Sequence, residues 1–378
     1  MTQVETLSRP AEWAARAEAL RGEIAAGAAR CDAEDLFAAD AFALLKAAGL
    51  FKAHVPEDLG GGGASYASLC EVVRILASGC GSTGLAFAMH SHIVALAVWR
   101  RTHEGAPTEG LLKRVAAEDL VLVSSGGSDW LQSVGRAEKV DGGFRITARK
   151  AFSSGCPAGD LLNTSAVYDD PEAGPTVLHF AVSLKADGVR ILDTWRTLGM
   201  RATGSHDVEL SEVFVPDAAI AGRRPQGMWN PLFHAISLIA FPIIYSAYRG
   251  VAGGARAIAL EAVRKRAPDE GLVQLVGEME TAFIGCETAV DAMVQLAASS
   301  WPGPETTGRV MALRQIAGQA AIRTAERAME AVGGRAFYRE LGLERAFRDV
   351  QGARFHPLQE KPQLRYAGRL ALGLDLDG

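Results

Sequence analysis

The texture of the chain changes twice, and this constrains the fold more than any single motif. From Trp13 to Ala48, from Ser65 towards Ala77 and from Gly81 to Trp99, apolar residues recur at three-to-four spacing, the period of a helix with one buried face. After Leu120 short runs rich in Val, Ile, Phe and Thr alternate with Asp-Gly turns: Arg136–Val140, Phe144–Thr147, Asn163–Tyr168, Val177–Val182, Val189–Leu192 and Val208–Val215. Pro216 and an expected turn at Arg223–Gly227 close this stretch. Helical spacing then returns over Ile236–Arg266, Glu270–Ala298, Arg309–Val332, Leu343–Phe355 and Gln363–Leu372. A chain of 378 residues exceeds what one compact core usually holds. The expectation is an α+β protein with an N-terminal α-helical domain over 1–120, a middle antiparallel β domain over 121–225 and a C-terminal α-helical bundle over 226–378.

Two links deserve weight. Val55-Pro-Glu-Asp-Leu-Gly-Gly-Gly-Gly63 breaks the first helical region, and Ser65 or Ser68 is placed to cap the helix that follows. Gly333-Gly334 ends the third long C-terminal helix with residues that tolerate left-handed backbone. Net charge is −5, and the basic clusters Arg264-Lys-Arg266 and Arg223-Arg224 are short, which argues against nucleic acid as partner. Five cysteines, odd in number and scattered without a Cys-x-x-Cys pair, fit reduced thiols in a cytoplasm and no metal site. Met1–Arg30 lacks the apolar centre of a secretory signal, and Ala235–Tyr248 is too short to span a bilayer, so a buried helix is expected there and no membrane partner.

Val121-Leu-Val-Ser-Ser-Gly-Gly-Ser-Asp129 begins as a buried strand and breaks into small residues, and Ala151-Phe-Ser-Ser-Gly155 repeats that texture. Backbone without bulky side chains admits an anion or a flat ring closely, and hydroxyls at Ser124, Ser125 and Ser128 add donors and acceptors. An ordinary Gly/Ser loop between strands has the same composition. His90 and His92 lie two apart on a helix and point about 200° from one another, so one ligand cannot engage both.

Several motifs, in order, resemble the acyl-CoA dehydrogenase superfamily. Pro56-Glu-Asp-Leu-Gly-Gly61 is similar to its early Pro-x-x-x-Gly-Gly loop, and Gly127-Ser-Asp129 to the end of its flavin-loop motif. Lys150-Ala-Phe-Ser-Ser-Gly155 resembles the segment beside the flavin, and Thr197–Ser205 with Val213-Phe-Val-Pro216 the close of the sheet domain. Glu330-Ala-Val-Gly-Gly334 and Arg348-Asp349 resemble the C-terminal signature. The resemblance implies FAD, or alternatively FMN, between the sheet and the bundle, with Val123, Ser124, Ser125, Phe152, Ser153 and Ser154 at the ring's polar edge through their backbone groups and Ser128 near the pyrophosphate. It also implies a homo-oligomer, dimer or tetramer, in which Arg266, Gln274, Glu330 and Gly334 of a neighbouring copy hold the cofactor.

On that resemblance the expected reaction is α,β-dehydrogenation of an acyl thioester such as an acyl-CoA, with an electron-transfer flavoprotein as partner. The chain departs from the pattern where the base should be. Nine residues beyond Arg348, where the family carries its catalytic Glu, stands Pro357, and the alternative slot on an earlier helix reads Tyr248-Arg249-Gly250. Glu360 is three residues beyond the usual place, and His356 is one residue before it. A related branch, the reduced-flavin-dependent monooxygenases resembling dibenzothiophene and indole hydroxylases, lacks the Glu and carries a His in this region. In that alternative, served by a flavin reductase, His356, His92 or His90, and Ser153 or Ser154 would hydrogen-bond the oxygen being activated on an aromatic or heterocyclic substrate. A catalytically altered flavin-binding homologue is the remaining alternative.

Overall fold

A computed structural model describes residues 3–377. The first region is α1 (Gln3–Ala33), α2 (Ala39–Ala47), α3 (Tyr66–Gly79), α4 (Gly81–Glu104) and α5 (Glu109–Glu118). Ser65 is the residue that caps α3, its hydroxyl accepting from the Ser68 N–H at 3.1 Å. The sheet region holds β1 (Leu122–Ser124), the helical turn α6 (Gly126–Asp129), β2 (Arg136–Val140), β3 (Gly143–Lys150), β4 (Leu161–Asp170), β5 (Gly174–Ser183), β6 (Val189–Ile191), β7 (Val208–Pro216) and β8 (Ile220–Pro225). The last region is α7 (Pro231–Val263), α8 (Glu270–Ser299), α9 (Pro304–Val332), α10 (Leu343–Val350) and α11 (Glu360–Ala371).

The strands form one sheet in the order β6-β7-β3-β2-β4-β5-β8, with β1 beside β4. The antiparallel expectation needs correcting, because β1 and β2 both run parallel to β4. β1 pairs with Leu161–Asn163 and β2 reaches the same edge at Val167, so the chain leaves that edge and returns to it further along. The excursion is the Gly/Ser stretch, and this topology makes it project from the sheet. The expected closing turn at Arg223–Gly227 is also corrected: Arg223 and Arg224 belong to β8, an edge strand with Arg223 exposed and Arg224 buried, and its paired arginines and Gly222 hide the alternation.

α7 is the axis of the helical core. Asn230 caps its start by accepting from the Leu232 N–H, and Phe241, Tyr245 and Tyr248 are almost fully buried along it. It lies against α3 and α4 on one side and α8, α9 and α10 on the other. α4 and α7 are long and apolar enough to cross a membrane, yet 72% and 78% of their most apolar windows are buried inside the protein, as expected of core helices. A separate cluster built on Phe144, Ile146, Leu162, Leu178 and Leu210 fills the sheet. All five cysteines are buried and unpaired.

Candidate active site

A cavity of about 950 Å³ opens where the sheet meets α4 and α7. The residues beneath the Gly/Ser excursion hold its shape. Lys150, completely buried on β3, donates to both Asp129 carboxylate oxygens at 2.9 and 3.0 Å and to the Val134 carbonyl. Asp129 also accepts from Ser125 Oγ at 2.5 Å and the Val134 N–H at 3.0 Å, so the loop is tied to the sheet at both ends. Opposite it, Phe152 has φ +62°, a left-handed conformation that costs a non-glycine residue energy, and its ring stays 55% exposed on the cavity wall. Trp195 meets that ring edge-on at 6.1 Å between centroids.

The Trp195 loop is held from both ends. His206 Nδ1 accepts from the backbone N–H groups of Thr194 and Trp195, while Asp349 accepts from the Met200 N–H at 2.5 Å. Arg348 donates to the Leu198 carbonyl and is itself paired with Asp32 on α1 and Glu344 on α10. Gly199 is required at this contact, since a Cβ there would lie 2.3 Å from the Arg348 carbonyl oxygen.

The lining is mainly apolar, with Leu85, Met89, Ile93, Phe233, Phe241 and Ile244 among its walls. Polar groups from several elements interrupt it, His179 on β5 among them, whose Nε2 accepts from Arg224 at 3.1 Å. Ser154, Ser205 and Thr203 form a chain of hydroxyls with 2.7 and 2.6 Å links. Ser125 and Thr164 form a second pair at 2.7 Å. At the α7 side, His356 Nε2 lies 2.7 Å from the Tyr248 hydroxyl, and Arg314 on α9 donates to the backbone carbonyls of His356, Pro357 and Leu358. His92 Nδ1 lies 3.2 Å from the Ala88 carbonyl, to which only a protonated nitrogen can bond, so Nε2 carries its lone pair. Burial lowers the His92 pKa to about 4, and burial with the nearby Arg314 and His92 takes His356 to about 3. Both imidazoles are therefore neutral at physiological pH.

His356, His92 and Ser154 thus line one cavity, with Ser124, Ser125 and Phe152. His90 does not join them: it bridges the Phe51 carbonyl and the Leu122 N–H and pins β1 to α4. Glu360 does not line the cavity, and its 45%-exposed side chain accepts from Gln315 at 3.2 Å. The one carboxylate in the described lining is Asp129, already engaged by Lys150. Val123 faces the sheet core, completely buried. Ser153 does not line the cavity, and its fully buried Oγ has no partner among the described residues. The backbone N–H groups of Ser125, Ser153 and Ser154 donate to the Asn163, His206 and Phe152 carbonyls. The side chain of Ser128 lies outside the described ones.

Arg266, Gln274, Glu330 and Gly334 lie outside the lining. Arg266 donates to the Ala331 and Val332 carbonyls at the end of α9, Gln274 bonds Glu278, and Glu330 pairs with Arg327. Nothing local in the sequence marks Trp195, Trp130 or Arg314 for the site. Tyr248, which stands in the alternative base slot, meets a partner, His356, that lies 108 residues away, beyond any local pattern.

Comparison with known proteins agrees with this fold. Residues 14–116 match the family described as acyl-CoA dehydrogenase, N-terminal domain, and residues 246–356 the one described as acyl-CoA dehydrogenase, C-terminal domain. The chain is similar to a dibenzothiophene monooxygenase of Mycolicibacterium goodii, 29% identical over 352 residues that cover 82% of each chain. Its fold matches that of KijD3 crystallised with FMN and dTDP-3-amino-2,3,6-trideoxy-4-keto-3-methyl-D-glucose, with a TM-score of 0.89 at 24% identity over 98% of this chain and 95% of that one. It also matches FMN-bound TdsC from Paenibacillus sp. A11-2, with a TM-score of 0.84 at 21% identity over 97% and 99% of the two chains.

Proposed function

The chain belongs to the acyl-CoA dehydrogenase superfamily, and from that premise we propose that it is a reduced-flavin-dependent monooxygenase acting on a flat, largely apolar ring substrate. One observation carries the reading: Pro357 and Tyr248 stand in the family's base slots, Glu360 lies outside the lining, and Asp129 is held by Lys150, so the described lining offers neutral imidazoles and no free carboxylate. Abstracting a proton next to a thioester carbonyl needs a base in reach, and this departs from the acyl-thioester expectation. The relatives' names support the same choice.

The residues present fit a flavin. The Phe152–Trp195 pair suits a planar ring, the Ser154–Ser205–Thr203 chain suits its polar edge, and the volume is within the range of ligand pockets. FMN is the favoured form, with FAD the alternative. Reduced flavin, when bound, supplies the two electrons with which O₂ gives one atom to the substrate and releases the other as water. Within the cavity, His356 and His92 hydrogen-bond the oxygen being activated, Ser154 assists, and the apolar walls exclude water and orient the substrate. Arg348 is the single cation in the described lining and is doubly paired, which favours a substrate without phosphates. The flavin phosphate then calls for a cation from elsewhere, and a second copy bringing Arg266 supplies one, so an oligomer is part of the proposal. A separate flavin reductase is the electron partner, and a cytoplasmic location suits it.

The test is photometric titration with FMN and FAD, followed by NADH, a flavin reductase, O₂ and either indole or dibenzothiophene, with mass spectrometry of the product. A gain of one oxygen atom is expected. Anaerobic bleaching of the bound oxidised flavin by a panel of acyl-CoAs would overturn the reading.

A further inference from the structure

The Tyr248–His356 contact has a direction. If Nε2 of His356 donated, the Tyr248 hydroxyl proton would need an acceptor of its own, and His356 is the hydroxyl's partner among the described residues. The phenol is 1% exposed, so that proton would be stranded. If the hydroxyl donates, both groups are satisfied. Nδ1 of His356 then keeps the ring's proton, and it meets no partner among the described residues while the imidazole lines the cavity.

We propose that Tyr248 is a positioning residue: its hydroxyl donates to Nε2 of His356, fixes the neutral Nδ1–H tautomer, and so makes His356 a hydrogen-bond donor into the cavity. The groups around the pair agree. Arg314 on α9 opposes a charge on the imidazole and clamps its backbone through three consecutive carbonyls. Tyr245 on α7 reaches past to the Ala353 carbonyl, Asp349 on α10 accepts from Met200, and His92 on α4 is neutral. Gly352 leaves room for the hydroxyl, since a Cβ there would lie 2.8 Å from it. His92, whose Nε2 holds a lone pair, is the complement: one imidazole gives a proton to a hydrogen bond and the other accepts one. Tyr248 occupies one of the family's two base slots, so its chemistry is turned from taking a proton to orienting one.

The catalytic meaning of this assignment rests on the oxygenase reading, but its geometry does not, and the experiment separates them. The full-length protein is labelled with ¹⁵N-histidine and the His356 resonances are assigned by their loss in His356→Gln. In flavin-free wild type the ring should be Nδ1-protonated and unchanged from about pH 5.5 to 8. Tyr248→Phe should shift it towards the Nε2–H tautomer, and Gly352→Ala, which displaces the hydroxyl without deleting it, should do the same. Oxygenation by Tyr248→Phe should fall roughly 10- to 100-fold with flavin affinity retained. A wild-type ring protonated on Nε2, or a tautomer unmoved in both variants, overturns the assignment. Failure of every flavin to bind while the tautomer shifts as expected overturns the oxygenase reading and upholds the Tyr248–His356 geometry.

Discussion

His356 illustrates what a single residue can and cannot announce. Its place beside Pro357 after Arg348-Asp349 singled it out in the sequence, and the helical angle excluded His90 and His92 from sharing one ligand, while the fold is what puts His92 in the cavity and His90 against Phe51. The tautomers were not legible, because they depend on Tyr248 and Ala88 carbonyl contacts made only in the folded chain. Replacing His356 by Gln should lower oxygenation by about 10²- to 10³-fold, the usual cost of a lost donor to developing charge, with flavin binding intact by photometric titration. Four imidazoles also set an acid limit. His90, His92 and His179 are lowered to about 4 and His356 to about 3, chiefly by burial. The unfolded chain protonates them near 6.5 while the native one refuses, so stability should fall as pH drops from about 6.5 towards 4, each contributing up to about 1.4 kcal/mol per pH unit. Asp349, raised by burial to about 6, opposes this between about 6 and 4, because the native state takes up its proton first. Thermal midpoints across that window read the net slope, which stays positive with pH if the imidazoles dominate.

Among the elements, the helices were legible and the sheet's order was not. Helical spacing is local, and the caps at Ser65 and Asn230 lie beside what they cap. The parallel pairing of β1 and β2 with β4 joins Leu122 to Leu161 and Arg136 to Val167, and nothing in either segment records the distant partner. The same gap hid Arg314, an interior cation on α9 whose partners are carbonyls more than 40 residues on. The Gly/Ser excursion depends on Lys150. Lys150→Met leaves the Asp129 carboxylate buried without its cation and should cost about 3–5 kcal/mol in urea unfolding, with Lys150→Met/Asp129→Asn recovering part of it. A Gly199→Ala substitution should separate the Trp195 loop from α10 and weaken flavin binding before it lowers the melting temperature appreciably, which parallel titration and calorimetry would reveal.

At the level of the whole molecule, the helix–sheet–helix order was plain from texture, whereas the cavity at its junction was marked only by small residues. The remaining question of scale is assembly. Arg266→Ala should weaken flavin binding about tenfold, with equilibrium sedimentation unchanged, if a second copy lends that cation to the phosphate. An unaltered affinity would remove Arg266 from the site. The bond from Arg348 to Asp32 spans 316 residues and closes the wall that Leu198 sits on. On the ribosome, α1 is therefore made long before the residue that locks it in place, and the nascent helices must wait with apolar faces uncovered until nearly the entire message has been read. Shortening the message before the codon for Arg348 should yield a product that chaperones hold or proteases clear, rather than a smaller working enzyme.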